Sequence, residues 1–189
     1  MSYRLSRESF ISAEYAALNA EMHGAPRGFG KSGAKHAFEV LTMAREVGAL
    51  TVLDYGCGAG EFAAALHPAA ADLEVMEYDP AVPGKDRLPH RADIVVCTDV
   101  LEHVEPERVG AVAWHLRHLA RLALLVVVSL VPAHKQLPDG RNAHLTVHPA
   151  WWWRGMLAND GWGVLAEYTR PDAEGIPVEW RAWLRRLRR

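Results

Sequence analysis

The apolar positions of this chain change their spacing along its length. Over 9–22, "SFISAEYAALNAEM", Phe10, Tyr15 and Leu18 form the apolar side of a predicted helix opening at Ser9, whose hydroxyl suits an N-cap. A glycine-rich loop follows over 24–33. The helical pattern returns over 34–47, "AKHAFEVLTMAREV", closed by Gly48 where helix C-termini favour glycine. The pattern then shortens into apolar runs. "LTVLDY" (50–55), "LEVMEYD" (73–79), "ADIVVCTD" (92–99) and "LALLVVVS" (122–129) read as strands. The last has no polar alternation, as expected of a central parallel strand covered on both faces. Between them, "GEFAAALHP" (60–68) predicts a helix stopped by Pro68. "EPERVGAVAWHLRHLARL" (105–122) predicts another, with Pro106 in the first turn where proline is tolerated.

The last third is mixed. "PAWWWRGMLAND" (149–160) predicts a helix ended by Gly161, and "WGVLAEYT" (162–169) a strand. Residues 178–187, "VEWRAWLRRL", carry two periods. Trp180, Trp183, Leu184 and Leu187 have helical spacing, while Val178, Trp180, Ala182 and Leu184 alternate like a strand. Both readings stand. Strands alternating with helices across short turns predict an α/β chain with a doubly wound, mostly parallel sheet. No repeat or long linker divides it, so residues 1–189 are expected to form one domain.

Composition narrows the function classes. Half of the 189 residues are hydrophobic and the net charge is −2. The basic character is confined to "RAWLRRLRR", which reads as a solvated terminus rather than a nucleic-acid grip. Cys57 and Cys97 form no CxxC pair, which argues against a disulfide framework, a zinc knuckle or an iron–sulfur cluster. The N-terminus lacks a signal-peptide core, and the run at 122–131 is about half the length of a membrane span. A soluble, cytoplasmic protein with no membrane partner is expected; the oligomeric state is not specified.

Two glycine loops compete as the binding site. "APRGFGKS" (25–32) fits a phosphate-gripping pattern, but a helix rather than a buried strand precedes it, so glycine amides are not delivered to a helix N-terminus in the required way. A lid edged by Lys31 and Lys35, or a plain surface connection, are the other readings. "VLDYGCGAGEF" (52–62) has a strand before it and a helix after it. Its pattern is D-x-G-x-G-x-G, and Glu61 occupies the position where a dinucleotide fingerprint needs its third glycine.

This stretch resembles the first motif of the class I S-adenosylmethionine-dependent methyltransferases, which have a Rossmann-like fold. The resemblance implies S-adenosyl-L-methionine lying across Asp54, Gly56, Gly58 and Gly60, within a core spanning 48–189 that follows N-terminal helices and a lid or substrate region (1–47). Asp79, nineteen residues beyond Gly60, matches the acid that accepts the ribose hydroxyls, with Glu77 as fallback. "ADIVVCTDVLEHVEPE" resembles the family's fourth-strand motif and brings Asp99 into the cofactor set. One departure stands out. Only thirteen residues separate Asp79 from Asp93, too few for the family's helix–strand–helix insertion. The sheet is therefore expected to lack the usual third strand, with the strand of Asp79 at or near an edge. Asp86 or Asp99 is then left to replace the adenine-side acid of the missing region.

Two clusters carry candidate chemistry. Asp99, Glu102 and His103 share one face of a helical turn, and "GRNAHLTVH" supplies His144 and His148. In the small-RNA 3′-terminal 2′-O-methyltransferases, a carboxylate-x-x-Glu-His segment joins a later histidine to bind a divalent metal. Asp99, Glu102, His103 and His144 look similar position by position, with aspartate first. Such mixed ligands suit Zn²⁺ or Fe²⁺ better than Mg²⁺ or Mn²⁺. "LEHV" is also similar to the ubiquinone-pathway O-methyltransferases, where the acid and histidine orient a loop or act on substrate. Metal ligation, metal-free catalysis by Glu102, His103 and His144, and a structural role all stay open. His115 and His118 read as surface residues. Consecutive helix positions step by about 100°, so Trp151–Trp153 cannot share one face; core packing by two of them is the default, with a stacking platform as the alternative.

The resemblance implies O- or N-methylation of a small-molecule acceptor, no cysteine being placed as a nucleophile. A metal-assisted RNA 2′-O-methyltransferase and a non-catalytic cofactor-binding subunit are the rivals.

Overall fold

A computed structural model describes residues 6–24, 33–67, 70 and 72–187. The loop "APRGFGKS", with Lys31, lies outside the described residues. Strands β1 (Thr51–Tyr55), β2 (Glu74–Tyr78), β3 (Ala92–Thr98) and β4 (Ala120–Ser129) run parallel. A hairpin of β5 (Trp162–Pro171) and β6 (Pro177–Arg186) joins antiparallel through β6, giving the order β2-β1-β3-β4-β6-β5. The expected edge position of β2 is observed. Residues 79–91 turn directly into β3 and add no strand beyond β2. Helices α1 (Ala13–Gly24), α2 (Ala37–Val47), α3 (Glu61–Leu66), α4 (Val109–Leu119) and α5 (Ala150–Leu157) complete the element list.

Strand alternation sorts the apolar residues onto two faces. On one face Leu53 and Tyr55 of β1 and Leu124, Val126 and Val128 of β4 pack with α4 and α5 residues such as Leu116, Trp153 and Leu157. On the other, Val52, Leu125 and Val127 pack with Val40 and Leu41 of α2 and Phe62 of α3. Helices therefore cover both faces, which is why β4 shows no polar alternation. The same rule settles residues 178–187 as a strand. Trp180, Ala182 and Leu184 enter the first layer while Trp183 enters the second, so the apparently helical set is split between faces.

Boundaries differ from the sequence reading in three places. The N-terminal segment makes a short turn at Arg7–Ser9, and α1 starts at Ala13 with Ser12 as the residue that caps it. Tyr15 N–H donates to Ser12 Oγ at 3.1 Å, whereas Ser9 Oγ accepts from Ser6 N–H at 3.3 Å. Helix α4 begins at Val109, not 105, and ends at Leu119. Pairing of Ala120 with Ala92 draws the next residues into β4, although Leu119 and Leu122 prolong the helical spacing in sequence. The basic terminus is in part an interior strand of the sheet. Arg181 sits within β6 and donates to Glu39 Oε2 at 2.9 Å and approaches His36 Nδ1 at 3.3 Å. Gly48 ends α2 as expected, in the left-handed region at φ 66°. Among the described residues, no helix is long and apolar enough to cross a membrane.

Candidate active site at the carboxyl edge of the sheet

The carboxyl ends of β1, β2 and β3 open into a cleft of about 400 Å³, a volume in the range of small-molecule sites. Its walls include Asp54, Gly56, Asp79, Asp99 and His103 from the sheet side, and Tyr15, Asn19 and His23 from α1.

The glycine loop is shaped by contacts that exclude a β-carbon. Gly56 has φ 81°, donates its N–H to Tyr78 O at 2.7 Å, and lies so close to Val100 that a Cβ would collide with the Val100 side chain. Gly60, at φ 84°, opens α3, and a Cβ there would run into Glu77 Oε1. Gly58 N–H donates to Asp79 Oδ2 at 3.0 Å, and Ala81 N–H donates to Asp79 Oδ1 at 2.9 Å. Two backbone donors thus orient a buried carboxylate whose remaining lone pairs serve the cleft. His23 Nε2 stands 3.6 Å from Asp79 Oδ2.

The fallback acid behaves differently. Glu77 accepts from Lys85 Nζ at 3.0 Å, and Lys85 also donates to Gly58 O at 3.3 Å. Lys85 therefore clasps the glycine loop to β2, and Glu77 is absent from the cleft lining. Asp54 is buried. Burial first, then the nearby Glu77, push its carboxyl up to about 7, with Lys85 opposing the shift. Cys57 lines the cleft, within the glycine loop. Burial and the Asp54 carboxylate push its thiol up, which suppresses the thiolate a nucleophile needs.

Of the two residues expected to replace the adenine-side acid, Asp99 lines the cleft and Asp86 does not. Asp86 lies outside the cleft lining and pairs with Arg7 at 3.5 Å. Asp99 lines the cleft at φ 56°, but its Oδ2 is 3.3 Å from Lys35 Nζ.

Past β3, residues 101–104 form a tight turn on which the 131–148 loop docks. Thr146 N–H donates to Glu102 O at 3.0 Å and Thr146 Oγ1 to Val104 O at 2.7 Å. Asn142 staples that loop by exchanging hydrogen bonds with Ala133 and accepting from His144 N–H. The result brings Glu102, His103 and His144 together, with one donor atom from each within 4.8 Å of the others. Asp99, expected as a fourth ligand, is not in this group, and His148 is also elsewhere, stacked on Trp152 at 3.8 Å.

The trio's hydrogen bonds define its chemistry. His103 Nδ1 lies 2.8 Å from Ala143 O and His144 Nδ1 lies 2.6 Å from Val131 O. Each Nδ1 must carry the proton to meet a carbonyl, so each Nε2 of the neutral ring carries a lone pair. Burial, then His144, lower His103 to about 4, keeping it neutral. Glu102 is buried, with Oε1 accepting Ser129 N–H at 2.9 Å and Oε2 without a hydrogen-bond partner among the described residues. Burial first, then Asp99, raise its carboxyl to about 8. A buried carboxylate oxygen and two imidazole lone pairs fit a divalent cation of the Fe²⁺ or Zn²⁺ type.

Other expectations resolve plainly. His118 is exposed, but His115 is buried, stacked on Phe10 at 4.1 Å and bonded to Tyr55 OH at 3.1 Å. Trp153 is fully buried, Trp152 packs against the core beside it, and Trp151 is exposed and absent from the cleft, so the default packing holds. Lys85, Asn142 and the α1 side chains were not singled out from sequence. A lysine six residues past an acidic strand end and an asparagine between glycine and histidine are weak local signals, and the α1 contribution is set by tertiary docking.

A family model described as a methyltransferase domain matches residues 26–187. Comparison with curated protein sequences gives no match. Among solved structures, the chain is similar to the Burkholderia thailandensis 1,6-didemethyltoxoflavin-N1-methyltransferase, determined with 1,6-didemethyltoxoflavin and S-adenosylhomocysteine. Identity is 16%, coverage 100% of this chain and 94% of that one, and the TM-score 0.65. It is also similar to the Synechocystis magnesium protoporphyrin IX methyltransferase with bound S-adenosylmethionine (19% identity, 98% and 100% coverage, TM-score 0.57). A third is the methyltransferase domain of bacterial CtHen1-C (17% identity, 82% and 98% coverage, TM-score 0.60). A glycine loop between β1 and α3, an acid at the end of β2, and a family match across most of the sequence lead to one conclusion: the chain belongs to the class I S-adenosylmethionine-dependent methyltransferases.

Proposed function

We propose that this enzyme methylates an oxygen of a small-molecule acceptor held at the His103 end of the cleft. S-Adenosylmethionine, when bound, supplies an already activated methyl group, so alignment carries much of the rate. The glycine loop and Asp79 would hold the cofactor, with the Asp79 carboxylate pre-set by two backbone N–H groups. What remains is the acceptor's proton. The observation that carries the reading is the trio Glu102, His103 and His144, whose ligand atoms lie within 4.8 Å of one another and which includes Glu102 Oε2, a buried oxygen with no hydrogen-bond partner among the described residues. These three residues would hold a divalent cation, whose chemistry is to polarise a bound hydroxyl. His103, the member lining the cleft, sits nearest the acceptor, while the Ala143 and Val131 carbonyls keep both imidazoles in the required tautomer.

The small-molecule reading is favoured because Arg181 is committed to Glu39, leaving a shorter basic terminus for a polyanion. A second reading, a terminal RNA 2′-hydroxyl as acceptor, draws on the CtHen1-C likeness and the same trio. The test is S-adenosylhomocysteine release from S-adenosylmethionine with panels of phenols, alcohols, amines and short RNAs, with and without EDTA. Turnover of a hydroxylated small molecule that stops in EDTA and in E102Q supports the proposal. Turnover indifferent to EDTA, or confined to amines, removes it. Turnover of RNA with a steep salt dependence would establish the second reading instead.

A further inference from the structure

The short crossover after β2 removes the element from which this fold usually draws the adenine side of its cofactor pocket. Something else must close that side. Helix α1, which the family match, beginning at residue 26, does not include, borders the cleft.

Three side chains of α1 enter the cleft: Tyr15, Asn19 and His23. They are spaced by four residues, so they lie one above another on a single helix face, about 6 Å apart along its axis. His23 anchors one end of this stripe, with Nε2 3.6 Å from the carboxylate of Asp79. Asn19 comes next. It is 7% exposed in the middle of a helix, where asparagine is a poor former. Its Nδ2 donates to Tyr15 O at 3.1 Å, which uses one of the amide's two hydrogens. A buried amide with a donor and an acceptor side by side is the group that pairs with the edge of adenine. The two acids considered from sequence each have a cationic partner. Asp86 is turned away to Arg7, and Asp99 faces Lys35. The helix is also held in place firmly enough to serve. Ser12 N–H donates to Glu105 Oε2 at 2.8 Å, Phe10 stacks on His115, and Ile11 and Tyr15 pack with Ala81, Leu137 and Ala143.

We infer that α1 reads the adenosine of the cofactor, with Asn19 pairing the purine edge and His23 beside Asp79 at the ribose. The inference rests on the cofactor lying in this cleft. On this reading the ribose lies at Asp79 and the base beside it along the stripe, at Asn19, the buried amide of the α1 wall. Asn19 is thus assigned as a specificity residue that discriminates the 6-amino purine from its 6-oxo counterpart.

Calorimetric titration of the protein with S-adenosylhomocysteine and S-inosylhomocysteine tests this directly. The wild type is expected to prefer the adenosyl compound by about tenfold or more, the cost of mispairing one buried polar group. Asn19→Leu, matched in shape, is expected to weaken the adenosyl compound by about tenfold and to bind the two compounds alike. Asn19→Ala serves the same purpose if the leucine variant does not melt cooperatively. A wild type that binds both equally overturns the inference, as does a folded variant that keeps the preference. If the wild type binds neither compound, the placement of the cofactor in the cleft fails along with it. Binding lost in D79N, with the purine preference kept in N19L, would spare the cleft and remove only the role of α1.

Discussion

At the scale of single residues, much of the glycine loop's meaning was readable because only backbone geometry was at stake. Gly56 combines a left-handed φ with a contact to Val100 that leaves no room for a methyl group. Gly56→Ala is expected to cost about 1–3 kcal/mol, seen as a melting temperature lower by roughly 3–10 °C, and to abolish detectable cofactor binding in titration. Asp54 gives a pH prediction. Its carboxyl sits near 7 against an ordinary 3.8, so protons bind the folded state more tightly than the unfolded chain. The stabilising contribution is whole below about pH 4 and is lost as pH rises through 7. Denaturant titrations at several pH values should show this decline in the ligand-free wild type and a flatter profile in D54N. Affinity for the cationic cofactor should rise over the same interval, because ionised Asp54 attracts it, and D54N should remove that rise. What sequence could not reveal at this scale were groups whose partners come from elsewhere. Lys85 matters through Glu77 and Gly58, and Asp99 left the expected ligand set for Lys35, a residue 64 positions away.

At the scale of elements, the strands with one dominant period were legible and the mixed ones were not. β4 announced itself by an unbroken apolar run, since both its faces are covered. β6 stayed ambiguous because Trp183 serves the second face while Trp180 and Leu184 serve the first, and a strand used on both sides imitates a helix in projection. The consequence for stability is large. Trp180 is 1% exposed and donates Nε1–H to Glu167 Oε2 at 3.0 Å across the hairpin. Trp180→Ala should lose about 3–5 kcal/mol in urea unfolding, whereas W180F should retain most of the packing and lose only the hydrogen bond. The turn carrying Glu102 and His103 and the loop carrying His144 are separate elements joined by Thr146 and Asn142. Asn142→Ala should therefore reduce turnover severalfold with little change in cofactor affinity, because it releases His144 without touching the glycine loop.

At the scale of the whole molecule, counting residues was enough to foresee the truncated sheet. Thirteen positions between Asp79 and Asp93 allow no extra strand, and β2 is the edge. Counting gave no hint that α1 borders the cleft, because the segment from Phe10 to Tyr15 docks on residues 81, 105, 115, 137 and 143 through contacts that no local pattern encodes. Phe10 anchors the helix's entry by stacking on His115, and Phe10→Ala should weaken S-adenosylhomocysteine binding severalfold. Amide exchange in α1 should slow when that ligand is added.

On this inference the wall beside the nucleoside is a helix seated by side-chain and cap contacts instead of a strand fixed in the hydrogen-bonded sheet. Holding the nucleoside and seating the helix are then two sides of one equilibrium, each favouring the other by the same factor. Affinity becomes adjustable from the outside of the molecule: any change that loosens the seam between Ser12 and Glu105 acts as a dial on cofactor occupancy while leaving the sheet intact.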